Sequence, residues 1–389
     1  MSIVFGDNVA VGPDAQASAP AAPTEHLDVL VVGAGISGVG AAWHLTHQRP
    51  GTRFAVLESK PTFGGTWVTH TFPGIRSDSD LFTFGYRFKP WRRAAIATAD
   101  EILHYMGEVI EENGLAPHIR YGHKVLGAQW SSPHKLWHVW VERDGQERFV
   151  ITCRFLWMCQ GYYRHAQGYT PDWPGLGDFQ GRVVHPQTWP DDLDLADKRV
   201  VVIGSGATAA TLVPAIAGKC RQLTMLQRSP TWFRSGRDID ILVNMLRELQ
   251  LPDEWVHEIA RRKVLLEQGR FAQRARSQPD VVRQELLAAV RAHLGPDRQA
   301  DVDRHFTPRY RPWQQRVAFL PDGDLFKAVA QRKADVVTDE IERFTPGGIQ
   351  LKSGAHLDAD VVITATGFEL SSLGDIPFAV DGRPLDLAD

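Results

Sequence analysis

Two stretches of this chain share one pattern of apolar and polar positions. Asp28-Val-Leu-Val-Val32 is a short apolar run rich in β-branched residues, which predicts a buried parallel strand. Gly33-Ala-Gly35-Ile-Ser-Gly38 follows, then helical spacing through about His47, and a second strand over Phe54-Ala-Val-Leu57 that ends at Glu58. The pattern returns at Arg199-Val-Val-Val-Ile203, Gly204-Ser-Gly206-Ala-Thr-Ala209, a helix to about Ala217, and a strand over Gln222-Leu-Thr-Met-Leu226. From Asp238 to Arg304 helix formers dominate, with Ile259, Val264 and Leu265, and later Val282, Leu286, Leu287 and Val290, at helical spacing. Strand-like runs resume at 335–338 and 359–367.

These patterns predict an α/β chain with two Rossmann-like dinucleotide-binding domains. In the first turn, Gly33, Gly35 and Gly38 let the backbone approach a pyrophosphate at a helix N-terminus, and Glu58 is placed to take two ribose hydroxyls. In the second, Gly204, Ser205, Gly206 and Thr208 occupy the turn, and the strand ends in Gln227-Arg228-Ser229. An acid there would repel a 2′-phosphate, whereas Arg228 pairs with one. The assignment is therefore FAD to the first turn and NADPH to the second, the alternative for Arg228 being a solvated surface charge.

Composition narrows the class. The 43% apolar and 23% charged residues are those of an ordinary globular protein, and a formal net charge of −3 gives no electrostatic reason to expect nucleic acid or an anionic membrane as partner. The most hydrophobic stretch, Leu27 to Leu45, contains Asp28, His44 and four glycines, so strand–turn–helix explains it better than an integral membrane segment. Cys153, Cys159 and Cys220 form neither a metal-ligand cluster nor a Cys-x-x-Cys pair, which argues against disulfide reductases and suits a reducing cytoplasm. No metal is expected.

Between the two turns lies Phe179-Gln-Gly181-Arg-Val-Val-His185-Pro-Gln-Thr-Trp189-Pro190. With Gly64-Gly65-Thr66-Trp67, Phe72-Pro-Gly-Ile-Arg-Ser-Asp78, Pro312-Trp-Gln-Gln-Arg316 and Ala365-Thr-Gly367, it makes the chain resemble the class B flavoprotein monooxygenases of the Baeyer–Villiger type. Within these it is similar to the bacterial group that includes an ethionamide-activating enzyme. The resemblance implies that NADPH reduces FAD, that reduced flavin takes up O2 at C4a, and that the peroxyflavin attacks a ketone or delivers oxygen to sulfur. It implies further that Arg316 supplies the positive charge at the reacting centre and that Asp78 holds that arginine, an ordinary interdomain ion pair being the alternative. Trp67, after Gly65 and Thr66, is implied to approach the flavin, or else to pack in a core. Phe179, Gly181, His185 and Trp189 are implied to form a domain linker, with His185 organising domain motion or serving structure alone.

The implied order is a disordered tail (1–25), the first part of the FAD domain (26–168), the first part of an inserted NADP domain (169–237), a helical insertion (238–304), the second part of the NADP domain (305–367), and an incomplete return to the FAD domain (368–389). Two departures from the family stand out. Gln315 occupies the position where many relatives carry a lysine that helps hold the 2′-phosphate. The chain also ends at Asp389, where relatives continue for about a hundred residues, the scale of completing a domain. The expectation is thus a ketone-active monooxygenase, apparently truncated at its C-terminus. An N- or S-oxygenating flavin monooxygenase and an inactive NADP-binding protein remain alternatives.

Overall fold

A computed structural model describes residues 25–386. The tail expected over 1–25 therefore lies outside the described residues, except that Glu25 opens the first strand, Glu25–Val32. The chain forms two compact units, one from residues up to Val68, Tyr105–Tyr163 and Leu370 onward, the other from Thr69–His104 and Arg164–Glu369.

The first unit is built on an eight-stranded sheet. Glu25–Val32 runs parallel to Phe54–Leu57 on one side and to Glu147–Met158 on the other. Beyond Glu147–Met158 the sheet continues as an antiparallel meander through Leu136–Arg143 and His123–Ser131. Phe378–Val380 adds next, parallel to His123–Ser131, with Arg383–Pro384 antiparallel to it at the edge, and Phe378 is buried in the core with Val125, Val139 and Ile151. Phe54–Leu57 is buried along its whole length, as its unbroken apolar run requires.

The second unit holds a five-stranded, wholly parallel sheet in the order Asp335–Thr338, Gln222–Gln227, Arg199–Ile203, Val361–Thr364, Arg182–Val184. Val200, Val202, Val361 and Ile363 pack on one face with the helix Ala207–Ile216; Val201, Ile203 and Val362 face Phe179, Phe344 and Ile349 on the other. Each such side chain removed from water contributes about 1.5–3 kcal/mol, so an aspartate at Val202 would break this layer.

The helical insertion consists of Ile241–Glu248, Asp253–Ser277, Pro279–Leu294 and Gln299–His305. Asp240 caps the first through Leu242 N (2.9 Å). The long second helix begins with Asp253 and Glu254 and ends with Arg274 and Arg276, matching its dipole. The third starts on Pro279 and stops at Gly295, whose φ of 85° only glycine adopts freely. Its Val282, Leu286, Leu287 and Val290 are buried as their spacing predicts. Leu265 is not: it is 50% exposed, and the long helix instead buries Val256, His257 and Ala260.

Residues 69–104, read from sequence with the first domain, belong to the second unit. Packing explains it. A Cβ added at Gly74 (φ +78°) would lie 2.5 Å from the Cβ of Ala215, so this turn sits directly on the helix Ala207–Ile216. Arg76 pairs with Asp324 at 2.7 Å, and Leu81 and Phe82 are buried where the short helix Leu81–Phe84 meets Asp253–Ser277.

Candidate functional site

The first glycine turn is shaped by close approach. Gly33 has φ +99°, and a Cβ there would lie 2.7 Å from Cys159 O; one on Gly38 would lie 1.8 Å from Gly33 O. Gly65 (φ +57°) sits against this turn, 3.1 Å from the Cα of Gly35 if given a Cβ. Thr66 opens a short helix that carries the half-buried Trp67. Gly35 is the N-cap of Ile36–Gln48, and no side chain caps that end. Glu58, only 7% exposed, is anchored on both oxygens: Ala34 N donates to Oε2 (2.8 Å) and Lys60 N to Oε1 (2.9 Å). Burial pushes the neighbouring Lys60 ammonium down, against the opposing pull of Glu58. A cradle that excludes side chains, an uncapped helix start and a fixed carboxylate at the strand end together fit a dinucleotide without a 2′-phosphate, such as FAD.

The second turn has the same form with the opposite charge. Gly204 has φ +124°, and a Cβ would lie 2.3 Å from Ala365 O, while the space around Gly206 is open. No side chain caps Ala207–Ile216. Ser205 Oγ lies 2.8 Å from Thr231 Oγ1 and donates to Ser229 O at 3.4 Å, tying the turn to the loop after the second strand. Thr208 is half-buried one turn along. Arg228 and Ser229 are exposed, and Arg228 makes no ion pair among the described residues. Its acidic neighbour Glu340 is held by Lys352 at 2.6 Å, which pulls the Glu340 carboxyl below its ordinary value. This leaves the guanidinium available to a phosphate.

Gln227 differs from the expectation of cofactor contact. It is 1% exposed, and its amide donates to His305 O (2.7 Å) and Thr338 Oγ1 (2.9 Å), so it braces the sheet end from within.

Asp78 and Arg316 are brought together. Arg316 donates to Asp78 Oδ1 at 2.7 Å and reaches Ser79 Oγ at 3.4 Å. The acid is held stiffly. Ser77 is buried, its hydroxyl donates to Ser79 O (2.7 Å) and accepts from Ser79 N (3.1 Å), and Gly74 and Arg76 fix the loop upstream. The arginine leaves a tight turn in which Trp313 adopts φ +68°, a conformation costly for a bulky residue. Gln314 N donates to Arg311 O there (3.1 Å). The Asp78 and Arg316 side chains are 25% and 65% exposed, so the bond positions the guanidinium and adds little stability. Both line a cavity of ≈ 830 Å³, together with Gln315, Trp313 and residues of the helical insertion.

In the fingerprint segment, Phe179 packs edge-on against Phe344, and a Cβ on Gly181 would lie 2.4 Å from both the Phe179 ring and Asp360 O. Gly181 is thus where that ring and the chain meet. His185 accepts from Gln187 N at Nδ1 (3.1 Å) and donates from Nε2 to Gly367 O (3.0 Å). With Nδ1 accepting and Nε2 donating, the ring is a neutral imidazole of one tautomer with no lone pair left for a general base. Burial pushes its pKa down against the raising effect of the Gly367 carbonyl. Gly367 O also accepts from Tyr169 N (3.2 Å), and the ring lies over Gly168. Trp189 packs on the core around Val200 and Leu212. Burial raises the Cys153 thiol to about 12 and those of Cys159 and Cys220 to about 11, which keeps all three protonated and inert at neutral pH.

Sequence reasoning passed over the seat of Gly74, whose only signal is a Pro-Gly turn. It also passed over the bond from Ala34 N to Glu58, which no periodicity reveals, and over Arg234 and Arg237 on the cavity wall.

Two dinucleotide turns, one ending in an acid and the other in a cation, define an α/β oxidoreductase scaffold for two nucleotides. Residues 31–93 match the NAD(P)-binding Rossmann-like domain, and residues 94–249 match the flavin-binding monooxygenase-like family. The FAD-containing monooxygenase EthA of Mycolicibacterium smegmatis is 46% identical over 368 residues, covering 94% of this chain and 74% of the relative. The probable FAD-binding monooxygenase AlmA of Acinetobacter baylyi is 44% identical, covering 93% and 72%. A solved steroid monooxygenase bound to NADP matches with a TM-score of 0.73 at 25% identity, over 91% of this chain and 73% of its own. A cyclohexanone monooxygenase reaches 0.72 at 21% identity over 90% and 75%, a likeness of fold. The chain belongs to the FAD-containing monooxygenases, enzymes whose cofactors are FAD and NADP(H). No helix among the described residues is long and apolar enough to cross a membrane.

Proposed function

We propose that this enzyme inserts one atom of O2 beside a ketone carbonyl, and also oxygenates sulfur in thioethers or thioamides. The observation that carries this reading is the Asp78–Arg316 pair on the wall of a cavity roomy enough for a small-molecule substrate. Bound FAD, reduced by NADPH, supplies the activated oxygen. The balance is ketone, O2, NADPH and a proton in; ester, water and NADP⁺ out.

Negative charge develops on the carbonyl oxygen as the ketone is attacked. Arg316 offers it a fixed cation, and preorganised charge of this kind is worth about 10²–10³ in rate. Asp78 and Ser79 engage one terminal nitrogen of that guanidinium and leave the N–H groups of the other two nitrogens to donate. Gly33, Gly35, Gly38 and Glu58 would hold FAD, with Gly65, Thr66 and Trp67 beside it. Gly204, Ser205, Gly206 and Thr208 would hold the NADPH pyrophosphate, and Arg228 with Ser229 its 2′-phosphate. His185 would keep the fingerprint segment and the 365–367 turn in register. The three free cysteines suit a reducing cytosol as its place of action.

A ketone panel tests the proposal. Flavin-loaded enzyme given NADPH and linear, cyclic and aromatic ketones should release esters or lactones with one ¹⁸O from ¹⁸O2. Sulfoxides from thioethers with no ester from any ketone would reduce the activity to heteroatom oxygenation. NADP(H) binding by a chain that retains no flavin would refute it as an enzyme of this kind.

A further inference from the structure

The wall of the cavity beside Arg316 carries two arginines that the proposed reaction does not use. Four carboxylates line it, and each is engaged. Asp78 holds Arg316. Asp80 accepts from Thr83 N (2.9 Å), Thr83 Oγ1 (2.7 Å) and Gln268 (3.2 Å). Asp240 caps Ile241–Glu248 and binds Lys263 at 2.6 Å, and Glu267 lies 3.5 Å from the same ammonium. Of the four cations on the wall, Lys263 and Arg316 are thereby matched. Arg234 and Arg237 make no ion pair among the described residues.

Arg234 is also placed. Its guanidinium carbon lies 5.2 Å from the centroid of the Phe271 ring, a cation–π contact that leaves its N–H groups open to an acceptor. Arg237 follows the strand Phe233–Gly236, which is seated tightly enough that a Cβ on Gly236 would come within 2.9 Å of the Phe319 ring. Apart from Ser79, Gln268, Gln314 and Gln315, the rest of the wall is apolar, including Ile96, Val264, Phe271, Trp313, Val317 and Phe319. Oxygen transfer beside a neutral carbonyl calls on Arg316 and has no use for two further arginines that no carboxylate on the wall holds.

We propose that this cavity selects an amphipathic substrate, an apolar chain bearing a carboxylate, with Arg237 and Arg234 as the residues that bind the carboxylate. The proposal deepens the ketone reading and rests on it for the identity of the reacting group. A phosphate of NADPH has the same anionic chemistry and is the competing source. The glycine turn at Gly204–Gly206 and the exposed Arg228 offer that cofactor a site of their own, which favours the substrate.

The test is equilibrium binding of 9-oxodecanoate and its methyl ester to the flavin-loaded enzyme by calorimetry, with NADPH titrated separately. The acid should bind at least tenfold tighter than the ester, and more weakly as salt is raised. R237Q should reduce that preference to threefold or less, R237K should restore part of it, and neither should alter NADPH affinity. Both side chains are exposed, and unchanged melting temperatures would confirm intact folds. Equal binding of acid and ester, or an R237Q variant that loses NADPH affinity and keeps the acid, would overturn the proposal. Turnover separates it from the ketone reading. Tight binding of the acid with no ester product sinks the reaction alone, and equal conversion of acid and methyl ester sinks the selectivity alone.

Discussion

Replacing Arg316 by methionine separates positioning from stability. The side chain is 65% exposed and makes its closest bond, 2.7 Å, to a partner that is 25% exposed. Exposed pairs of this kind contribute about 0–1 kcal/mol. For a chain of this size that lowers the melting temperature by a few degrees at most, about 2–4 °C per kcal/mol in domains of 150–250 residues. The catalytic loss is of another order. Removing a preorganised charge from a developing oxyanion costs about 2.7–4 kcal/mol, or 10²–10³ in kcat. R316M should therefore retain its flavin and its fold, still oxidise NADPH in air, and yield ester from ketone at least a hundredfold more slowly. The assay follows ester by gas chromatography beside NADPH absorbance, so that coupling is read directly. Ester formation at a tenth or more of the parental rate, with flavin content equal, would refute the assignment of this arginine to the reacting centre.

Three further outcomes follow from the same geometry. R228Q should weaken NADPH by about tenfold or more and leave NADH unchanged, since a charge-assisted hydrogen bond is worth about 1.5–3 kcal/mol; parallel loss of both cofactors would place the arginine elsewhere. G204A combines a left-handed φ with a Cβ 2.3 Å from Ala365 O. It should lose about 1–3 kcal/mol to each cause, with a large fall in melting temperature and in NADPH binding; a variant as stable as the parent would contradict that contact. Burial pushes His185, His257, His293 and His305 below the ordinary 6.5, so the unfolded chain takes up protons first as pH falls. The stability these neutral rings confer is present above about pH 6.5 and declines below it, and urea midpoints flat from pH 7 to 5 would contradict this.

The parts legible in the sequence were those with short-range physical causes. Glycine turns between an apolar strand and a helix announce themselves, because only glycine tolerates the approach seen at Gly33 and Gly204. The third insertion helix was legible because its buried face repeats at helical period. The second was not, since a 25-residue helix buried on only four positions leaves apolar side chains such as Leu265 in solvent. Gln227 was misplaced because sequence shows that it ends a strand and conceals which way its amide turns. The allegiance of residues 69–104 was invisible for a related reason. It depends on Gly74 meeting Ala215 and Arg76 meeting Asp324, contacts between positions more than a hundred residues apart.

The contact between Gly74 and Ala215 has a consequence for how such an enzyme changes over generations. Neither residue touches a reacting atom, yet the loop ending in Asp78 has no other place to rest if either side chain grows. Each position is then a veto on the other, and libraries that diversify the cavity wall would gain nothing by sampling them. A lineage searching for new substrates is free to vary Arg237 or Trp313 on the rim. The smallest two residues behind the acid must stay small, and the path to a new specificity runs around them.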